Sequence, residues 1–502
     1  MVNLFRRGNP KRVSPSTVVL LACAVLIGTS TTWAADRPSD LEIAAAVETA
    51  LLLEQGVSPH LIDVAVTDGI VTLDGTVSSL LEEDRTVDVT RTVRGVRSIV
   101  NQVDVRTVVR SDAEIRRDIE SALLVDPATE SFEIDVRVED GVVTLTGTVE
   151  SWAEKLLAAE VAKGVKGIQA VRNRIEYDYE SDRTDRDIKA DIEGRLRMDP
   201  YVDEELIQVK VNDGVVRLSG LAGSLAEKAY AKDKARVPGV TRVLADDLRV
   251  ESWTAIDMER TIKTAPVTDK EAERAVEEAL LYDPRVPSAD VDVEVEDGEA
   301  TLSGTVENLG ARNAAEEDAR NTAGIWNIHN EIKVRPTDRL TDTEIAQNVR
   351  DALRWNPFVE RFEISVLVRN RRVSLAGEVD TPFEKFKAAE VAARVSGVAS
   401  VDNNLWVEEE SWTYTNDAEI REDIESEYFW SPFVDGDNLT IRVDDGHVEL
   451  AGKVDTWHEY REAVENAFEG GADSVRSYLR VAENEKMYDR YWEEPPVENW
   501  PL

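Results

Sequence analysis

DGVVTLTGTV, residues 140–149, decides the fold, because it returns five more times along the chain. The other copies are DGIVTLDGTV (68–77), DGVVRLSGLA (213–222), DGEATLSGTV (297–306), NRRVSLAGEV (370–379) and DGHVELAGKV (445–454). They stand about 72–75 residues apart, with one step near 84, so the chain is a six-fold internal repeat. Around the second copy, Ile134, Val136 and Val138 alternate up to Asp140-Gly141, and Val143, Leu145 and Val149 alternate away from it. Period two marks strands with one buried face. Asp-Gly between two such runs signals a type I′ turn, whose positive φ glycine adopts without strain. Gly69, Gly141, Gly214, Gly298 and Gly446 are the turn glycines. The fifth copy has Asn370-Arg371 instead, so a different or longer turn is expected at 370–372. Gly147 falls on the buried face in mid-strand, where a helix is expected to approach closely.

With 502 residues, 42% of them apolar, the chain needs several cores, one per unit of about 72 residues. Six separately cored units are expected rather than a continuous solenoid. The net charge of −41 argues against nucleic acid as a partner. At the N-terminus, Arg6, Arg7, Lys11 and Arg12 precede the apolar run Val18 to Ile27, and Thr32-Trp33-Ala34 has small residues at both cleavage positions. Residues 1–34 therefore read as a secretory signal, and the periplasm as the destination. Cys23, the single cysteine, lies inside the run. Only five apolar residues precede it and the run continues beyond, so cleavage after Ala34 is favoured over lipidation of Cys23. The mature chain then has neither cysteine nor a segment long enough to span a membrane.

Each unit opens on a capping-box signal: Ser39, Ser111, Thr184, Thr268, Thr341 or Asn416, with an acid three residues on. An amphipathic stripe follows, such as Ile115, Ile119, Ala122 and Leu123, and then a proline. After the hairpin come a second helix, a closing glycine (Gly95, Gly167, Gly239, Gly324, Gly397, Gly471) and a third alternating strand. The fold class is α+β: six tandem α-β-β-α-β units, each a small three-stranded mixed sheet covered on one face by two helices. The third strand is expected parallel to the second. The units are 38–108, 109–180, 181–251, 267–337, 338–409 and 410–483, with a linker at 252–266 and an acidic, Trp- and Pro-rich tail at 484–502 that reads as extended or loosely docked. ESWT occurs at 251–254 and 410–413, so Trp253 and Trp412 are expected in equivalent joints.

The DG-x-V-x-L-x-G-x-V hairpin, the element order and the third strand running from Gly167-Ile168 to Ile175 resemble the BON domain (bacterial osmotically inducible protein and nodulation domain) over roughly 38–483. The resemblance implies a non-enzymatic bacterial envelope protein connected with osmotic stress, outer-membrane integrity and phospholipid surfaces. Copy five departs at its turn. The third-strand Asn of four copies (Asn101, Asn173, Asn330, Asn403) is Asp246 in copy three and Ser477 in copy six. That Asn reads as a buried residue tying strand to helix.

No catalytic, cofactor or metal site emerges. His60, His329, His447 and His458 occupy four different places in the repeat and read as surface residues. The recurrent Asp-Gly lacks the alternating acids of a calcium loop. The reading is a multivalent envelope binding or chaperone-like protein that contacts other envelope proteins. The alternative is a peripheral phospholipid binder acting through copies three and five. Copy three (181–251) has 13 basic and 15 acidic residues, net −2, and copy five (338–409) has 10 and 13, net −3. Its candidate contacts are Lys228, Lys232, Lys234 and Arg236 along and just beyond the second helix of copy three, and Arg369, Arg371 and Arg372 at the turn of copy five.

Overall fold

The computed structural model describes residues 38–481 and 497–499, apart from 55, 130–133, 150, 178–182, 252–266, 360–363, 408–415, 455 and 473. The signal-like segment, Cys23, Trp253 and Trp412 lie outside the described residues.

Repeat 2 shows the plan. Ser111 and Glu114 close the capping box of the first helix (Asp112–Val125), so two of its orphan amides are satisfied. Ile134–Glu139 and Val142–Val149 form the hairpin, the second helix is Trp152–Lys163, and the third strand is split into Ala170–Asn173 and Glu176–Tyr177. The hairpin is antiparallel and the third strand runs parallel to the second, in the spatial order one-two-three. Among the described residues this makes twelve α-helices and six sheets. In repeat 6 the sheet gains a strand, because Val497–Asn499 pairs antiparallel with the third strand.

Ile115, Ile119 and Leu123 of the first helix, Val143 and Leu145 of the hairpin, and Ala158 and Ala162 of the second helix are all buried. Each large side chain so buried contributes roughly 1.5–3 kcal/mol. The alanines set the depth of the two-layer sandwich, since only a small side chain lets a helix lie this close on the sheet.

Three expectations need correction. The turn at Asn370-Arg371 is neither longer nor different: both residues are left-handed (φ 49° and 64°), like the Asp-Gly pairs, and Arg369 pairs with Arg372 across them. The amides of Asn370 and Arg371 donate to the Asp342 carboxylate (2.7 and 2.9 Å). The Arg371 guanidinium reaches back to Asp338 Oδ1 (2.8 Å) and the Asp338 carbonyl (2.7 Å). These bonds offset the strain of a left-handed arginine.

In repeats 1, 3, 4 and 6 the mid-strand glycine is approached by a 3₁₀ turn and not by an α-helix, while the segments that precede the first strand in repeats 2 and 5 lie outside the described residues. A Cβ on Gly75, Gly220, Gly304 or Gly452 would sit 2.0–2.2 Å from the carbonyl oxygen of Leu61, Leu206, Asp290 or Asn438. These carbonyls end the 3₁₀ turns Pro59–Leu61, Glu204–Leu206, Ser288–Asp290 and Gly436–Asn438, which lead into the first strand.

The cores are not all separate. Repeats 1, 3, 4 and 6 each have a cluster, but the apolar residues of repeats 2 and 5 form one. Trp430 of repeat 6 and Leu225 of repeat 3 pack on the core of repeat 1. A unit of this size is marginal on its own, and contacts with neighbours add apolar burial.

Candidate interaction surfaces

Two carboxylates recur, the first in all six repeats and the second in all but repeat 4, where Ala311 stands, and both are engaged by backbone. The first follows the N-cap of the first helix. Asp112 accepts from the amides of Asp140 and Gly141 (both 3.0 Å), clamping the helix start to the hairpin turn. Asp40, Asp185, Asp269, Asp342 and Asp417 do the same for their own turns. Sequence reasoning missed this role. The signal was an Asp beside the cap in all six copies, always 28 residues before the first turn residue. The second carboxylate opens the second helix. Glu82 accepts from Ser58 N and Ser78 N (both 2.7 Å), and Glu227 from Asp203 N (2.9 Å) and Gly223 N (2.7 Å). A buried carboxylate saturated by amides holds loops together and is not poised for proton transfer.

The cations singled out in repeat 3 are largely committed to it. Lys234 pairs with buried Asp199 (3.1 Å) and Arg236 with Asp233 (2.5 Å). Burial lowers the pKa of half-buried Lys228, and Lys232 is exposed. Their helix, Leu225–Lys234, packs on the second helix of repeat 1 (Leu80–Thr92). In repeat 5, Arg371 is held in the turn, Arg372 lies 3.5 Å from Asp402, and Arg369 is exposed. The turn glycines Gly69, Gly141, Gly214, Gly298 and Gly446 all have positive φ.

Of the histidines, His60, His329 and His447 are exposed, as expected of surface residues. His458 is not a surface residue. It is 3% exposed, with its ring 3.7 Å from that of Tyr201 and 5.6 Å from that of Phe433, in an aromatic contact between repeats 3 and 6. Among the described residues no cluster of His, Cys, Asp and Glu could hold a metal ion, and no helix is long and apolar enough to cross a membrane. A cleft of about 600 Å³ lies between repeats 1 and 2, but Lys163 inside it is neutralised by Asp84 and Glu160 (both 2.8 Å).

Helices cover one face of each sheet, so the other carries outward side chains, and these faces differ in charge. On repeat 3, Lys210, Arg217, Arg242 and Arg249 face out with one acid, Asp247. Lys210 stands directly opposite Arg217, a like-charge pair that destabilises a sheet unless an anion offsets it. Asp247, 2.7 Å from Arg217, offsets part of it. On repeat 4 the outward set is Asp292, Glu294, Glu296 and Glu299 against Lys333.

A family model described as BON domain matches residues 39–107, 111–179, 184–252, 268–336, 341–409 and 416–483. The chain belongs to the BON domain family. Over 141 residues it is 33% identical to osmotically-inducible protein Y of Escherichia coli strain K12, covering 27% of this chain and 70% of that protein. Another match, 28% identical over 133 residues, is to a proline–tRNA ligase of Lactobacillus gasseri, covering 25% of this chain and only 22% of that enzyme. Among solved structures, the C-terminal domain of CdsD, a structural protein of the Type III secretion system of Chlamydia trachomatis, aligns at 16% identity over 46% of this chain and 100% of that one. Its TM-score of 0.13 carries no argument.

The third-strand asparagine joins layers within the BON units as expected but is not buried, since Asn101 is exposed and Asn173, Asn330 and Asn403 are half-buried. Asn173, Asn330 and Asn403 donate to the carbonyls of Lys155 (2.6 Å), Arg312 (3.1 Å) and Lys385 (2.9 Å) in the second helix. Asn101 bonds the Glu83 side chain instead (2.7 Å). In BON unit 3, where Asp246 replaces it, the third strand bulges between Leu244 and Asp247. Between BON units 3 and 4 lies a charged layer. Arg183 pairs with Asp191 (2.7 Å), and Asp191 also accepts from the Tyr282 hydroxyl (3.0 Å). Burial, with Asp283 beside it, pushes the Asp318 carboxyl up to about 8.

Proposed function

We propose that this chain is a non-enzymatic, multivalent binding protein of the bacterial envelope that acts under osmotic stress, exported through residues 1–34. The observation that carries the reading is six BON units whose recurring carboxylates are spent on backbone amides, leaving six outward sheet faces as the variable surface. Support for the setting comes from the family and from the relative named osmotically-inducible protein Y. Multivalency turns weak single contacts into avidity without any new contact. The test is deletion of the gene in its host followed by growth under hyperosmotic shock and uptake of an impermeant dye. The expected result is slower recovery and increased uptake, both restored by the full chain. Recovery indistinguishable from the parent would sink the reading.

A second reading, contact with an anionic phospholipid surface, is favoured by one observation, the basic outward face of BON unit 3. Coulomb attraction is local, decaying over about 8 Å at physiological salt, so a basic face binds while acidic neighbours point away. Of the cations along and just beyond the second helix of unit 3, Lys234 and Arg236 are ion-paired and Lys228 is half-buried, which leaves Lys232 exposed, and of the repeat 5 set Arg369 and Arg372 remain outward. Cosedimentation with phosphatidylglycerol vesicles at low and high salt tests it. Binding should weaken with salt and be lost in Lys210→Glu/Arg249→Glu. Binding that persists in that variant points to another face.

A further inference from the structure

The contacts between BON units follow one rule. In four of the six units the residue before the glycine that closes the second-helix turn donates its amide to another unit. In repeat 2 this is Lys166, and it donates to the carbonyl of Trp355, the last residue of the first helix of repeat 5 (2.8 Å). The equivalent residue of repeat 5, Ser396, donates to the carbonyl of Val125, the last residue of the first helix of repeat 2 (3.1 Å). Repeats 2 and 5 thus grip each other reciprocally, about a local pseudo-twofold axis. Arg94 of repeat 1 makes the same bond to Trp430 of repeat 6 (2.9 Å), and Ala323 of repeat 4 to Met198 of repeat 3 (2.9 Å).

The two remaining positions depart for local reasons. The residue in repeat 3 is Pro238, which has no N–H. The residue in repeat 6, Gly470, caps its own helix by donating to Asn466 (2.9 Å). Each acceptor is a helix C-terminal carbonyl, a group that its own helix leaves without a partner. Side chains reinforce the pairs. Arg394 meets Asp126 (3.0 Å) and Arg354 meets Asp118 (3.5 Å) between repeats 5 and 2, Lys166 Nζ donates to the Val359 carbonyl (2.9 Å), and Tyr282 of repeat 4 donates to Asp191 of repeat 3.

We propose that the end of the first helix together with the second-helix turn is a recognition surface whose partner is a second BON unit, and that this chain satisfies it internally in the nested order 1 with 6, 2 with 5 and 3 with 4. The two halves of the chain, repeats 1–3 and repeats 4–6, bind each other through these surfaces and do not depend on the covalent joint at 252–266. The pair 2 with 5 is the strongest, since among the described residues it has both reciprocal backbone bonds, two ion pairs and one continuous apolar cluster.

The test starts from the folded full chain carrying a specific protease site inserted within 252–266, cut after purification. Light scattering on a sizing column should show the cut protein still at the mass of the whole chain at micromolar concentration. Elution as two separate halves overturns the proposal. In the same background, Lys166→Pro/Ser396→Pro removes both central amides at positions where repeat 3 already has Pro238 after the same residue, valine. A second variant, Arg354→Asp/Arg394→Asp, leaves the backbone intact. Each should raise the dissociation constant of the halves by about tenfold or more. If the proline variant loses its native circular dichroism, the charge variant decides. An unchanged constant there shows that the halves are held by something other than this surface.

Discussion

Arg371 shows how a single residue can stand where glycine is expected. Its left-handed backbone costs on the order of 1–2 kcal/mol, and its guanidinium bonds to Asp338 return a similar amount. Arg371→Ala keeps the strain and loses the bonds, so it should destabilise repeat 5 by about 1–2 kcal/mol in urea unfolding, while Arg371→Gly should stay within about 0.5 kcal/mol of the parent. Equal losses in both would show that the strain is not being offset. Asp112 poses the complementary question. Asp112→Ala strips two turn amides of a charged acceptor and should cost about 1.5–3 kcal/mol. Asp318 adds a pH dependence. Its folded carboxyl titrates near 8, whereas an unfolded one titrates near 4, so the folded state holds a proton that the unfolded state has released. The stability is therefore fully present below about pH 4 and is lost as pH rises through about 8. Asp318→Asn should melt higher than the parent at pH 8, by on the order of 2 kcal/mol in stability, with the gap closing toward pH 5. A gap that is constant with pH would assign the effect to packing.

At the scale of the element, the hairpin is held at both ends. The turn is clamped by the aspartate beside the first-helix cap, and the far end by the contact of the inner glycine with the 3₁₀ carbonyl. A methyl at Gly220 would lie 2.1 Å from the Leu206 carbonyl oxygen, at φ 119°. Gly220→Ala should therefore cost at least about 2–3 kcal/mol by chemical unfolding, more than alanine at an ordinary strand glycine. Gly141→Val meets a different obstacle, a β-branched residue at φ 73°, and should cost on the order of 1–2 kcal/mol.

Across the whole molecule, packing between units changes what one unit can do alone. Repeat 2 shares its apolar cluster with repeat 5, so excising 109–180 would expose Trp355-facing and Val359-facing surface to water. In the full chain, repeats 2 and 5 should lose their amide hydrogen-exchange protection together, at one denaturant concentration. Independent loss would restore the picture of six separate cores. The acidic surface acts at the same scale: with a net charge of −41, self-repulsion opposes compaction, and added salt should raise the melting temperature.

The hairpins, the helix caps, the parallel third strand and the family were all legible in the chain, because each depends on residues close in sequence and the repeat states the pattern six times. Period two, Asp-Gly turns and capping boxes are local physics, and local physics is readable. The surface was legible only in part. Charge counting picked out repeat 3 and the cations Lys228, Lys232 and Lys234 of a helix that packs against repeat 1, but not the further outward basic set spread over three strands. His458 has a polar side chain, so it reads as exposed until Tyr201 and Phe433 are brought onto it from far along the chain. The left-handed Arg371 depends on Asp338 and Asp342, about thirty residues away. Above all, which unit meets which was decided by tertiary structure alone. The donor amide and the helix-end carbonyl are backbone groups that carry no address of their own, and only the folded chain pairs repeat 2 with repeat 5.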